Sequence, residues 1–372
     1  MSAAAGDAAT PDRSSALRWG RALVWPLLAV LAGVYGALTA LRRLAYRRGW
    51  LRQARASCPV LSVGNLTAGG SGKTPLVDWL LRAARQAGCR PVAISRGYRN
   101  RTRSDVLRVR AAEGPAPDPV AMGDEPALLA RRNPEVPVYV ARRRTLAARL
   151  AALVDRPGLI VLDDGFQHLR LARDLDVVLI DAQQGLGNGW LLPLGPLREP
   201  LRAARRAHAV LITKAAPGEA EALRGRIATA LGPAVPVFTC DYRPARLRRL
   251  DGNAELPPEA LHGAEVRLLC GIARPQSFVH SVEALGARVM GLEAHEDHYA
   301  WPDDACAALG AALAADSAAA GAPRWLTTEK DAVKLTGRAQ PAERLWVLEL
   351  EVVPDPAAQA FFFDFIARCK VT

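Results

Sequence analysis

Hydrophobic residues fall into distinct patterns along the chain. From Ala22 to Leu41 no residue is charged, which is about the length needed to cross a bilayer core. Short continuous apolar strings follow at Val60–Val63, Pro91–Ser95, Val136–Val140, Leu159–Leu162, Val177–Ile180 and Ala209–Thr213. Mixed, helix-like stretches lie around 75–87, 124–132, 142–154 and 218–231. Near-continuous strands alternating with helices predict a largely parallel sheet covered on both faces. After Val235–Phe238 a basic, proline-containing stretch, Asp241 to Leu261, reads as a connector. A second α/β set then follows: strands at Val266–Cys270, Arg288–Leu292, Trp325–Thr327 and Leu345–Leu350, with helices from Gln276 and within Asp303–Ala315. The expected division is a disordered tail (1–17), a membrane-associated helix (18–48), a core domain (49–240) and a smaller second α/β domain (241–372) closing over the active site.

The flanks of the long apolar run sharpen its meaning. Arg42, Arg43, Arg47, Arg48 and Arg52 crowd its C-terminal side, and Arg13, Arg18 and Arg21 precede it. No convincing cleavage site follows, so it is not read as a signal peptide. The helix either spans the bilayer or lies along its surface, with a buried core helix as the bland alternative. Positive charge favours a cytosolic C-terminal body.

Charge adds less than its size suggests. The formal net charge is +12, yet only five of the 49 basic residues are lysine. An excess of arginine and alanine points to coding bias, and no nucleic-acid partner is expected. The six cysteines are scattered without a Cys-x-x-Cys pair and read as reduced core residues, with neither zinc nor disulfides.

The chemistry begins at Gly64-Asn65-Leu66-Thr67-Ala68-Gly69-Gly70-Ser71-Gly72-Lys73-Thr74. A strand enters this turn and an amphipathic helix leaves it, the context of a phosphate loop. Backbone N–H groups and the helix dipole would face phosphate oxygens. Lys73 would reach the β/γ-phosphates, and Thr74 would ligate Mg²⁺. Thr67 stands where the usual spacing has its first glycine.

Acidic residues supply the rest. Leu159–Leu162 ends in Asp163-Asp164, placed as the acids that help hold Mg²⁺ in phosphate-loop enzymes, or as plain capping aspartates. Asp181 ends the next strand with less signal. Asp124-Glu125 opens a helix, where Asp124 is either an N-cap or a functional acid. His298, in His295-Glu296-Asp297-His298-Tyr299, is a candidate base or a solvent-facing histidine. Lys330 and Lys334, in and after Thr328-Glu329-Lys330-Asp331, either approach an anion or sit at a solvated helix start.

In order along the chain, the loop, Ser95-Arg96-Gly97-Tyr98, Gly123-Asp124-Glu125-Pro126, Asp163-Asp164-Gly165-Phe166-Gln167-His168, Pro193 to Pro200, Asp297-His298-Tyr299 and Thr328 to Asp331 together resemble the tetraacyldisaccharide 4'-kinases, the lipid A kinases of Gram-negative bacteria. The family's own loop also lacks the glycine that Thr67 replaces. The resemblance implies a P-loop NTPase-like α/β fold with a second smaller domain and an N-terminal membrane helix. It implies phosphoryl transfer from ATP, with Mg²⁺, to the 4'-hydroxyl of a tetraacylated glucosamine disaccharide 1-phosphate at the cytosolic face of the inner membrane, by a monomer. By that likeness Asp124 and His298 form the activating dyad. Asn65, Gly69, Gly70, Ser71, Gly72, Lys73 and Thr74 bind ATP, and Thr74, Glu125, Asp163 and Asp164 hold the metal. Arg96, His168, Arg198 and Glu199 line the site. Arg99, where the family usually has glycine, and the proline-rich Glu113–Pro119 depart from its pattern. A membrane-docked phosphate-loop ATPase switch, binding a protein partner and needing no dyad, is the alternative; a nucleic-acid-dependent ATPase ranks last.

Overall fold

A computed structural model describes residues 13–69, 72–97, 104–114, 116–215, 218–317 and 323–369. Helix α1 (Arg13–Arg47) comes first, so residues 13–17, expected in a disordered tail, are helical. Residues 1–12 of that tail, and Gly70 and Ser71 of the loop, lie outside the described residues. The first half continues through β1 (Val60–Asn65), α2 (Lys73–Gln86), β2 (Pro91–Ser95), β3 (Leu107–Val109), α3 (Pro119–Met122), α4 (Asp124–Arg132), β4 (Val138–Val140), α5 (Arg144–Val154), β5 (Leu159–Asp163), β6 (Leu175–Asp181), β7 (Ala209–Thr213) and α6 (Glu219–Leu231). The second half contains β8 (Val237–Arg249), β9 (Glu255–Leu256), β10 (Glu265–Cys270), α7 (Pro275–Glu283), β11 (Arg288–Ala294), α8 (Asp303–Ser317), β12 (Arg324–Thr328), α9 (Glu329–Leu335), β13 (Leu345–Pro354) and α10 (Pro356–Ala367).

The strands read as unbroken apolar strings because both faces of the sheet are covered. Leu61, Val63, Ala93 and Val161 join the core beneath α2, α4 and α10. Their neighbours Val60, Val92, Ile94, Ile160 and Leu162 face the opposite way, onto α5. All the described strands join one sheet in the order β11-β10-β12-β13-β8-β7-β6-β1-β5-β2-β4-β3, with β9 on the flank of β8. β1 lies between parallel β5 and β6, so its carboxyl end opens where the chain leaves in both directions, the place where such sheets bind ligands.

One expectation is corrected. Asp241–Leu261 is not a plain connector: residues up to Arg249 extend β8, which pairs with β7 in parallel and with β13 in antiparallel fashion. Arginines on the exposed face hid its alternation, since Arg246 and Arg248 both reach Glu349 across the ladder, at 2.7 and 2.6 Å. Pro244 sits where the β8–β13 register shifts, an irregularity that tolerates a missing N–H. The two halves therefore share a continuous sheet.

Helices α2, α4 and α9 meet at Arg132, the last residue of α4. It donates to Asp78 on α2, Glu329 on α9 and the Leu350 carbonyl on β13, each at 2.7 Å. Each of these helices begins at the carboxyl edge of the sheet, so this hub holds three N-termini in a fixed relation.

Helix α1 stands apart from the sheet. From Val24 to Arg47 it is long and apolar enough to cross a membrane. Leu27, Val30 and Leu38 are all at least 60% exposed, which leaves an uncovered apolar face.

The phosphate loop is packed from below by Phe166. A Cβ added at Gly64 would lie 2.4 Å from the Phe166 Cβ and 2.7 Å from its backbone nitrogen. Gly64→Ala is expected to destabilise the chain by about 2 kcal/mol, the usual range for overpacking a tight core. Chemical denaturation of the two proteins measures this; equal stability would mean the contact relaxes freely.

Candidate active site

The strand β1 delivers the chain into the loop, and Gly72 closes it in the left-handed region at φ 74°, which favours glycine. Tyr242 of β8 donates its hydroxyl to the Gly72 carbonyl at 2.5 Å, and its ring fills the space a side chain at 72 would need. Inside the loop, the Asn65 amide reaches Thr67 Oγ1 and the Gly69 carbonyl, both at 3.5 Å. Lys73 and Thr74 open α2 and are buried, at the positive end of the helix dipole.

Asp164 faces this helix start. Its carboxylate lies 3.4 Å from Lys73 Nζ and accepts from Arg198 at 2.9 and 3.0 Å. Burial raises its pKa, but Lys73 and then Arg198 outweigh burial and hold it well below the usual carboxylate range. Its backbone is left-handed at φ 52°, and buried Arg144 donates to its carbonyl at 2.8 Å. That backbone turn separates the two aspartates. Asp163 is wholly buried, accepting from Ser95 Oγ at 3.2 Å, while its Oδ1 has no partner. Burial, and then the charges of Glu125 and Asp164, push the Asp163 carboxyl up.

The second acidic pair joins the two halves of the sheet. Gly123, not Asp124, occupies the N-cap of α4, which removes the capping account of Asp124. The Asp124 Oδ2 instead meets His298 Nδ1 at 2.9 Å and Lys334 Nζ at 3.2 Å. Lys334 is fixed in turn by Asp331 at 3.3 Å, and Asp331 accepts from Trp301 and the Gly271 backbone. Glu125 meets Lys330 Nζ at 3.2 Å. Burial raises the Glu125 pKa, but Lys330 and Lys73 together bring it below its ordinary value. The same field places Glu125 within electrostatic reach of both Lys73 and Asp163. Lys330 and Lys334 thus face acids of α4, and Thr328 and Asp331 cap each other at the start of α9.

Other expected site residues take different places. Arg96 is exposed and close enough to Arg144 to repel it. Glu199 turns away from Asp164 and is clamped by Arg43 of α1 at 2.9 Å and by Arg206 at 2.8 Å. His168 packs beside the arginines below the loop, with its Nε2 buried and unpartnered. Tyr242 and Arg144 are not singled out by the sequence, and Ser95 enters there only as the first residue of the Ser95–Tyr98 motif. Tyr242 lay in the supposed connector, and Arg144 followed two arginines that look like a solvated run.

Among the described residues no three His, Cys, Asp or Glu side chains cluster as a ready-made metal cage. Mg²⁺ does not need one, since it is commonly held by one or two carboxylates together with substrate phosphates. The orphaned Oδ1 of Asp163, beside Asp164 and within the field of Glu125, fits such a cation.

A loop of this form on a parallel sheet, with an acidic strand end beside its lysine, defines an α/β protein of the phosphate-loop kinase fold. A sequence profile described as Tetraacyldisaccharide-1-P 4'-kinase matches residues 24–367. The chain belongs to that family. It is 42% identical over 331 residues to the tetraacyldisaccharide 4'-kinase of Thiobacillus denitrificans, covering 88% of this chain and 91% of that protein. With its counterpart from Anaeromyxobacter dehalogenans strain 2CP-C it shares 46% over 308 residues, 81% of this chain and 79% of that one. The crystal structure of LpxK from Aquifex aeolicus in complex with ATP superposes with a TM-score of 0.75 at 28% identity, covering 94% of this chain and 100% of that one.

The His168 environment gives a pH signature. Burial first, and then Arg144, Arg173 and Arg42, hold its pKa down at about 4. An unfolded histidine titrates near 6.5, so below that pH the unfolded chain takes up a proton that the folded chain refuses. His168 therefore contributes stability above about 6.5 that is lost as pH falls toward about 4. Between pH 7.5 and pH 5 the wild type is expected to lose more unfolding free energy than His168→Gln. Parallel losses in the two proteins would contradict a neutral, buried ring.

Proposed function

We propose that this chain transfers the γ-phosphoryl group of ATP to the 4'-hydroxyl of a tetraacylated glucosamine disaccharide 1-phosphate, working as a monomer at the cytosolic face of the inner membrane. The observation that carries this reading is the Asp124–His298 contact at 2.9 Å, made across the two halves of the sheet and next to Glu125, which lies within the field of Lys73. A nucleotide-gated docking protein has no use for such a pair. The apolar, exposed face of α1 suits an enzyme whose acceptor is a lipid.

In the proposed reaction the acceptor oxygen attacks the γ-phosphorus, the bond to the β-phosphate oxygen breaks, and ADP leaves. Asp124, held ionised by His298 and Lys334, accepts from Nδ1 of His298 and so fixes the tautomer whose Nε2 carries a lone pair. That nitrogen takes the hydroxyl proton as attack proceeds. Lys73, with the loop amides, holds the β- and γ-phosphates, and Arg198 faces the same charge from the other side of Asp164. Thr74, Glu125, Asp163 and Asp164 are the residues that would hold Mg²⁺, which neutralises phosphate charge when bound. The second domain (241–372), held against the core (49–240) by the strand they share, would exclude water from the site and limit ATP hydrolysis.

Transfer of labelled γ-phosphate from Mg-ATP to the lipid in detergent micelles tests this. Asp124→Asn is expected to lose roughly a hundredfold or more in turnover while still binding ATP. Lys73→Ala is expected to lose both binding and turnover. If Asp124→Asn labels lipid as well as wild type does, or if ATP hydrolysis rises with membranes and no lipid is labelled, the switch reading takes its place.

A further inference from the structure

Two routes of contact run from one turn of α1 to the phosphate loop. The segment Pro196-Leu197-Arg198 lies alongside the loop as a short backbone splint. Arg198 N donates to the Leu66 carbonyl and Ala68 N donates to the Pro196 carbonyl, each at 2.7 Å, with Thr67 and Leu197 bridged between them. The next residue, Glu199, is only 4% exposed and is gripped by Arg43 of α1 at 2.9 Å. Arg206 donates to both Glu199 oxygens at 2.8 Å, sharing Oε2 with Arg43, stacks 3.6 Å over the Phe166 ring and donates to the Phe166 carbonyl. Phe166 is the side chain on which Gly64 rests. The second route is shorter. Arg42 donates to the Gln167 carbonyl at 3.2 Å, and the Gln167 amide donates to the Asn65 carbonyl at 2.9 Å.

From these contacts we infer that α1 forms part of the nucleotide site as well as a membrane-facing element, with Arg43 as the positioning residue that sets the phosphate-loop splint through Glu199. The physical reason is the burial of Glu199. A carboxylate taken out of water is held where its partners hold it, and losing Arg43 leaves Glu199 to Arg206 alone, so the segment is drawn toward that one partner. Any shift of residue 199 is passed to Arg198, which bonds the loop by its backbone and Asp164 by its side chain. Arg43 pairs with Glu199 and acts through the splint. A helix that served only as an anchor would use its arginines on lipid headgroups, as nearby Arg47 is free to do from its exposed position.

The inference rests on nucleotide binding at the phosphate loop but not on the identity of the acceptor. The test uses the full chain in detergent micelles, with Mg-ATP as the probe and calorimetry for affinity. Co-sedimentation with vesicles containing an anionic phospholipid is measured in parallel. Arg43→Gln is expected to weaken Mg-ATP binding about tenfold, within the usual range for a residue acting through packed neighbours, while vesicle binding stays unchanged. Arg43→Lys should recover part of the loss, and Arg47→Gln, which removes the same charge without the Glu199 contact, should bind Mg-ATP like wild type. Should Arg43→Gln fail to fold by circular dichroism, Glu199→Gln gives the same reading from the other partner, with a loss of the same order expected. Unchanged Mg-ATP affinity in Arg43→Gln or Glu199→Gln, with or without weaker vesicle binding, would overturn the inference and leave Arg43 a headgroup contact. Absence of Mg-ATP binding by the wild type would overturn the phosphate-loop reading itself, and the inference with it.

Discussion

Crowded, partly desolvated carboxylates are the constraint around which this structure is arranged. Asp124, Glu125, Asp163 and Asp164 lie at one edge of the sheet, and burial acts against the charge of every one. Water does not offset that cost, so fixed cations must. Lys73 and Arg198 serve Asp164, Lys330 serves Glu125, and Lys334 with His298 serves Asp124. Asp163 has no ion pair among the described residues, and burial, then the charge of Glu125, push its carboxyl up against the opposing charges of Lys73 and Arg144. The imbalance is local and has a direction: it favours a further positive charge arriving beside Asp163. A site with its acids fully paired would gain little from one.

The way these charges are distributed explains why the halves of the molecule depend on each other. Lys330 and Lys334 belong to α9 in the second half, yet their partners belong to α4 in the first. At the far end of α4, Arg132 joins Glu329 in the same interface. Pairs at both ends of one helix fix its rotation and its height together, so Asp124 is aimed at His298 by contacts on two sides. Because β8 carries the sheet from one half into the other, this alignment is built on continuous backbone pairing and not on a flexible tether.

Much of this was readable from residues alone, and what was hidden has a physical explanation. Strands with both faces covered announce themselves as unbroken apolar strings, and β2 and β7 have the predicted limits, Pro91–Ser95 and Ala209–Thr213. The phosphate loop could be found despite Thr67, since strand, glycines, lysine and helix outweigh one missing glycine. β8 was missed because its exposed face is arginine-rich and it carries Pro244, features that local pattern assigns to a loop. The pairing of Asp124 with His298 follows from a resemblance in sequence, but its distance depends on tertiary contacts between residues 174 positions apart. Lys334 enters the sequence reading only with Lys330, beside the Thr328–Asp331 segment, as a lysine that either approaches an anion or sits at a solvated helix start. That it shares the Asp124 oxygen used by His298 is a fact of packing that no local sequence pattern encodes.

Glu199 shows how adjacent residues in one motif can divide their labour. Its neighbour Arg198 points to Asp164 and the lysine of the loop, while Glu199 points the opposite way to α1. The chain bends at residues 198 and 199, and there a neighbouring basic and acidic residue join two charge systems. One system lies beside Lys73 at the glycine-rich loop and the other at the base of a helix whose apolar surface is left uncovered. Sequence proximity made the two residues look like one cluster lining one site. Arg198 bonds Asp164 and Glu199 bonds Arg43, and together they tie α1 to the glycine-rich loop. A link of this kind fixes the position of the loop relative to the exposed apolar face of α1.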